Sequence, residues 1–163
     1  MTRLLLLEGN TADKRARAHD LGVRNSSEIY ALAIAAHFPQ IELDVLNGAD
    51  PGEAMPQGRN WADYDGFVIT GSSLHAYDTD FAVTNQIALV AQAAEHALPI
   101  FGSCWGLQIA AVAAGGEVGL SPRGREVGFA RKIALNAAGH AHPMFAGKRS
   151  EERRVGKECR MPC

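Results

Sequence analysis

One tight turn constrains this chain more than any other stretch: Gly102-Ser103-Cys104-Trp105-Gly106. It follows a short apolar segment, Pro99-Ile100-Phe101, and opens an alanine-rich one. Gly-x-Cys-x-Gly between a strand and a helix is the cysteine form of a nucleophile elbow. The glycines have a steric reason, because a side chain at Gly102 or Gly106 would collide with the neighbouring strand or helix. Such a turn holds the Cys104 sulfur proud of the sheet edge at a helix N-terminus. There the helix dipole and unpaired backbone N–H groups favour a thiolate over a thiol. The same five residues also suit a buried structural cysteine beside a helix start, so the rest of the chain has to decide between the two.

A chain of 163 residues is long enough for one domain with a real core and too short for two comfortable ones. The formal charge of −2 supplies no basic field, so nucleic acid is not an expected partner. The run Leu4-Leu5-Leu6-Leu7 is cut short by Glu8, too short for a signal peptide or a membrane span. A cytoplasmic address follows as the expectation. Cysteines at 104, 159 and 163 make an odd count without a disulfide framework. No metal site and no cofactor is expected.

Composition changes abruptly at Arg149. Residues 149–163 hold five Lys/Arg and three Glu, with Val155 and Met161 as their only aliphatic or thioether side chains. The run from Arg149 to Cys159 resembles the translation of a short-read sequencing adapter. The expected organisation is therefore a partial domain over residues 1–148 and a non-native tail over 149–163, with the natural gene continuing past Lys148. A charged, solvated terminal helix is the plainer alternative.

Along the body, Arg3 to Glu8 reads as a buried parallel strand, and Gly9 to Gly22 as a polar surface loop. Ser26 or Ser27 can cap a helix running to about His37, with Ile29, Leu32, Ala33 and Ala36 as its apolar face. Ile41 to Leu46 and Gly66 to Ile69 are further strands, the latter ending at Thr70-Gly71-Ser72-Ser73. Asp80 can cap a helix that carries Val83, Ile87, Val90, Ala91 and Ala94 at helical spacing. Pro99 to Phe101 is the fourth strand, the helix after Cys104 is apolar enough to be buried, and Gly115-Gly116 stops it. Arg123 to Gly128 reads as a charged loop and Phe129 to Leu135 as a fifth strand. Strands alternating with helices imply an α/β fold, a doubly wound and mostly parallel sheet with helices on both faces. Ligands in such sheets bind beyond the carboxyl ends of the strands, where Glu8, Gly71-Ser72-Ser73 and Cys104 all fall.

Three motifs in this order resemble the class I glutamine amidotransferases, especially their GMP-synthase-like branch. They are Asp65-Gly66-Phe67-Val68-Ile69-Thr70-Gly71-Ser72, the elbow with Leu107-Gln108, and Arg123-Gly124-Arg125-Glu126-Val127-Gly128. The resemblance covers roughly residues 3–148 and implies a flavodoxin-like fold, incomplete at its C-terminus. It also implies hydrolysis of L-glutamine or a γ-glutamyl compound through a Cys104 thioester, releasing ammonia to an acceptor that a separate synthetase chain could carry. By position, Cys104 would be the nucleophile and the backbone N–H groups of Ser72 and Trp105 the oxyanion hole. Gly71 and Gln108 would hold the substrate. Where the family has Gly-Gly-Pro, this chain has Gly71-Ser72-Ser73, which a backbone donor tolerates. The family's late His-Pro-Glu base has no match: His142-Pro143 is followed by Met144 and comes too early. His75 lies near the Ser72 loop but reads as a surface residue, as do His19, His37, His96 and His140. The recorded chain is thus expected to be nearly inactive. Other readings are a γ-glutamyl peptidase, or a dienelactone-hydrolase-like or intracellular-protease-like enzyme with Glu8 as partner to the thiol. A regulatory subunit with a vestigial site is the non-enzymatic alternative.

Overall fold

The computed structural model describes residues 2–53, 55–56, 58–120 and 135–146. The fifth strand (apart from Leu135), the Arg123–Gly128 loop and the 149–163 tail all lie outside these residues. The chain divides into two compact units, Met1–Gly119 and Leu120–Pro162.

The first unit is built on a parallel sheet. Strands β1 (Arg3–Leu7), β2 (Glu42–Leu46), β3 (Gly66–Ile69) and β4 (Ile100–Gly102) lie in the order β2-β1-β3-β4. Leu5 stands opposite Asp44 on one side and Phe67 on the other, and Ile69 stands opposite Gly102. The strands therefore end together on one edge. Helices join β1 to β2 and β3 to β4, and a long connection with one turn of 3-10 helix, Trp61–Asp63, joins β2 to β3, the crossovers that parallel pairing demands. The observed bounds match the expected strands to within a residue.

Alternation along the strands divides the core. Leu5, Leu7, Phe67 and Ile69 pack with Trp61, Val83, Val90, Ala93, Trp105 and Ile109, and so meet α3 (Phe81–Glu95) and α4 (Trp105–Ala113). On the opposite face Leu4, Val68 and Phe101 line a cleft with Tyr30, Ala33 and Ile34 of α2 (Ser26–His37) and with Phe38 and Ile41 just beyond it. The doubly wound α/β reading holds.

Three local expectations are corrected. Within the expected loop, Ala12–Asp20 is a helix, α1. It has no buried residue, so no apolar face announces it in the sequence. Its start is tied down instead by Asp50, which accepts the Ala12 N–H at 2.7 Å and pairs with Arg15 at 2.7 Å. The N-cap of α2 is Asn25, not Ser26 or Ser27, and the Glu28 carboxylate reaches back to accept the Asn25 N–H at 2.7 Å. Ile29 and Leu32, expected to face the core, are 52% and 53% exposed, and Ala33 and Ala36 are exposed as well. Buried α4 holds in part, since Trp105, Gly106 and Ile109 are buried while Leu107 is 66% exposed. The Asp80 cap of α3 holds, its Oδ1 accepting the Val83 N–H at 3.2 Å.

In the second unit, Ala137–Ala141 forms a short helix, α5, capped by the Asn136 side chain, and Pro143–Phe145 a turn of 3-10 helix. Among the described residues no helix is long and apolar enough to cross a membrane.

Candidate active site

The elbow is built as its glycines require. Cys104 lies between β4 and α4, at the N-cap, with φ 55° and ψ −104°. That combination lies in the left-handed half of conformational space, outside the αL well, where a residue with a Cβ is strained. A Cβ on Gly102 would lie 2.5 Å from the Gly106 carbonyl carbon, and one on Gly106 would lie 2.9 Å from the Ile69 Cβ. Strand and helix therefore cross at backbone contact, and the chain can turn only through Cys104. The thiol residue is exposed. Its carbonyl accepts the Gln108 N–H at 3.3 Å, one turn into α4.

The two expected oxyanion-hole residues come together at a third strand end. A Cβ on Gly9 would stand 2.9 Å from the Ser72 Cβ, 2.9 Å from the Trp105 Cδ1 and 3.0 Å from the Gly71 carbonyl oxygen. Gly9 is thus the wedge at the end of β1 on which the β3 loop and the start of α4 converge. Trp105 is anchored by its ring: Nε1 donates to the buried Gln86 Oε1 at 2.9 Å, and Gln86 Nε2 donates to the carbonyls of Ala82 (2.7 Å) and Gly9 (3.3 Å). Thr70 completes the tie by accepting the Gly9 N–H on its hydroxyl at 2.9 Å. Gly71 has open space where a Cβ would stand, so no packing demands a glycine there. The Gln108 amide oxygen is buried and meets no hydrogen-bond donor among the described residues.

Both carboxylate oxygens of Glu8 are taken up by other donors. Its fully buried carboxyl accepts the Ser27 N–H at the start of α2 (2.7 Å) on one oxygen, and the Asn10 N–H and side-chain amide (3.0 Å each) on the other. A carboxylate at a helix N-terminus is where the dipole favours it, so Glu8 serves the fold. His75 stacks flat on Tyr77 at 5.3 Å on the exposed loop, and His142 Nδ1 accepts the Met144 N–H at 3.2 Å. His19, His37, His96 and His140 are exposed, as expected. Among the described residues no group of His, Cys, Asp and Glu side chains could hold a metal ion.

Sequence reasoning missed Gln86, Thr70 and Asn10. Gln86 carried a signal, since it falls three residues after Val83 and four before Val90, a polar residue on a helix's buried stripe. Thr70 stood in the motif that ends β3 with no role assigned to it, and Asn10 carried no signal beyond its place just past a strand.

The sequence profile of the glutamine amidotransferase class-I family matches residues 26–158. The gamma-glutamyl-L-1-hydroxyisopropylamide hydrolase of Pseudomonas sp is 36% identical over 154 residues, 91% of this chain and 50% of that protein. Gamma-glutamyl peptidase 5 of Arabidopsis thaliana is 33% identical over 81 residues, 50% of this chain and 32% of that protein. The chain thus spans half or less of the length of these curated relatives. A glutamine amidotransferase of Thermotoga maritima shares the fold with a TM-score of 0.58, at 19% identity over 87% of this chain and 56% of that one. The structure of SMU.1228c does so with a TM-score of 0.63, at 21% identity over 91% of this chain and 58% of that one. With a parallel sheet, a cysteine elbow and a family profile that runs over most of its length, the chain belongs to the class I glutamine amidotransferase family.

Proposed function

We propose that this chain carries the nucleophile half of a γ-glutamyl amide hydrolase, with Cys104 as the attacking group. The backbone at Cys104 is the observation that carries the reading: a strained, exposed cysteine held by two glycines at a helix start. A structural cysteine gains nothing from such a conformation, whereas a nucleophile gains access to its substrate. In the reaction the Cys104 sulfur adds to the γ-carbonyl carbon, and the C–N bond then breaks. The amine leaves with a proton, and a γ-glutamyl thioester remains. Water cleaves the thioester, forming glutamate and restoring the thiol. The Trp105 N–H suits the oxyanion, because N–H groups in the first turn of a helix have no intrahelical partner. The Ser72 N–H is the second donor in this reading, with Gly71 leaving room for substrate and Gln108 holding it.

The names of the relatives favour hydrolysis of γ-glutamyl compounds over delivery of ammonia to a separate synthetase. A base is still required to activate the thiol and protonate the leaving amine. We infer that it lies in a His-Glu pair encoded past Lys148, and that residues 149–163 are not native. This inference is supported by the change of composition at Arg149 and by the greater length of the relatives.

Two measurements test the reading. The product of the reading frame that continues past Lys148, base included, is treated with a diazoketone analogue of glutamine and mapped by mass spectrometry, with a single adduct expected on Cys104. The source locus is read across the Lys148 codon, and the product of the continuing frame is assayed for γ-glutamyl amide hydrolysis. No adduct on a Cys104 that iodoacetamide still alkylates would overturn the nucleophile assignment. A stop codon directly after Cys163 in the source DNA would overturn the inference about the base.

A further inference from the structure

We propose that Asn10 is a positioning residue, whose side-chain amide holds the Gly71–Ser73 loop in the geometry that receives the substrate carbonyl. The proposal rests on the reading of that loop as part of the oxyanion hole. It concerns a residue that lies before the region matched by the family profile.

The loop after β3 leaves the sheet without a ladder partner, so something else must fix it. Lys14 Nζ holds the exposed end, donating to Ser73 Oγ at 2.9 Å, and Asn10 holds the rest with one atom. Its side-chain oxygen accepts the Ser73 N–H at 3.2 Å, the Ser72 hydroxyl at 3.3 Å and the Ser73 hydroxyl at 3.4 Å. Its amide nitrogen turns the other way, donating to Glu8 Oε1 at 3.0 Å, Ser26 Oγ at 3.2 Å and the Gly71 carbonyl at 3.5 Å. Glu8 decides this orientation. The loop agrees with it: the Gly71 carbonyl can only accept and so takes the NH₂ end, and the Ser73 N–H can only donate and so takes the oxygen. The backbone of Asn10 is fixed as well, its N–H on Glu8 Oε1 at 3.0 Å and its carbonyl accepting Arg15 Nη1 at 2.7 Å. Through Asn10 the end of β1 and the starts of α1 and α2 thus bear on three consecutive residues of one loop.

A donor in an oxyanion hole works only when it stands about 3 Å from where the charge develops. A displacement of about 1 Å can cost on the order of 10²-fold in rate. Asn10→Ala removes all three contacts to the side-chain oxygen, leaving Ser73 tied by its hydroxyl to Lys14 alone, and keeps Gly9, Gln86 and the elbow in place. The expected result is a fall in kcat of about 10- to 100-fold with KM changed less than about threefold, because the lost geometry acts mainly in the transition state. Alkylation of Cys104 by iodoacetamide, which develops no oxyanion, should keep its wild-type rate.

The experiment has two arms. Amide hydrogen exchange at Ser73 and Leu74 is followed in the 163-residue chain, wild type and Asn10→Ala, with exchange expected to be at least about tenfold faster in the variant. γ-Glutamyl amide hydrolysis and Cys104 alkylation are followed in the product of the continuing reading frame. Should Asn10→Ala fail to fold, Asn10→Ser replaces it, since its hydroxyl is too short to reach both Glu8 and the loop. Unchanged exchange, or kcat and alkylation falling in equal proportion, overturns the proposal. Faster exchange in the variant, with no hydrolysis by the wild type, upholds the loop's dependence on Asn10 and refutes the proposed function instead.

Discussion

The strain at Cys104 can be weighed directly. At φ 55° and ψ −104° a residue with a Cβ sits in a sparsely populated region, at a cost of about 1–3 kcal/mol. Glycine occupies positive φ without that penalty, but its freer unfolded chain takes back about 0.5–1 kcal/mol. Cys104→Gly should therefore be more stable than Cys104→Ala by about 0.5–2 kcal/mol. The comparison between the two variants is the informative one, because both remove the thiol and differ only in the methyl group that the backbone angle resents. In a chain of this length each kcal/mol moves the melting midpoint by about 2–4 °C, so the glycine variant should melt roughly 1–8 °C above the alanine variant. Urea unfolding followed by circular dichroism would give the free energies, with scanning fluorimetry as the quicker check. Neither variant should form the Cys104 adduct. If alanine proves as stable as glycine, the elbow is relaxed at Cys104, and the argument that strain marks this cysteine as a nucleophile fails.

Gly106→Ala should destabilise the chain by about 1–3 kcal/mol, since its Cβ would meet the Ile69 Cβ at 2.9 Å and the Ile69 carbonyl oxygen at 3.1 Å, and a wild-type melting midpoint would refute the crossing geometry. Tyr64 supplies a pH signature: burial first, and then the hydrogen bond to Asp44 at 3.0 Å, push its hydroxyl up to about 12 from an ordinary value near 10. The folded state thus keeps a proton that the unfolded chain gives up. Its stabilisation is complete below about pH 10 and is lost as pH rises through about 12. Urea titrations from pH 8 to pH 12 should show this decline in the wild type and a shallower one in Tyr64→Phe, and parallel declines would refute the assignment.

The strands were legible because a parallel sheet buried on both faces writes short apolar runs, and Leu4–Leu7 and Gly66–Ile69 are such runs. The elbow was legible because close backbone approach admits only glycine, and it placed Cys104, Trp105 and the Ser72 loop at one edge of the sheet. Helix α1 was not legible, because it buries nothing and is fixed by Asp50, thirty-odd residues away. The face of α2 was misread for a related reason. Periodicity reports which residues share a stripe, but Ile29 and Leu32 stand exposed while Tyr30 and Ile34 line the cleft.

The polar connections around the site show the same limit at higher stakes. Glu8 looked like chemistry because a carboxylate at a strand end in an α/β sheet falls where catalytic groups fall. Its two oxygens are instead committed to the Ser27 N–H and to Asn10. That commitment orients the Asn10 amide, which in turn fixes Ser72 and Ser73. A sequence gives the donors and acceptors but not which pairs form, because the deciding bonds, Ser27 to Glu8 and Ser72 and Ser73 to Asn10, join residues far apart in the chain. Glu8 therefore bears on the candidate site through Asn10: substituting it would turn the Asn10 amide loose, and loosen the loop with it. The residue that sequence reasoning marked and the one it overlooked belong to a single chain of contacts, and only the overlooked one reaches the loop.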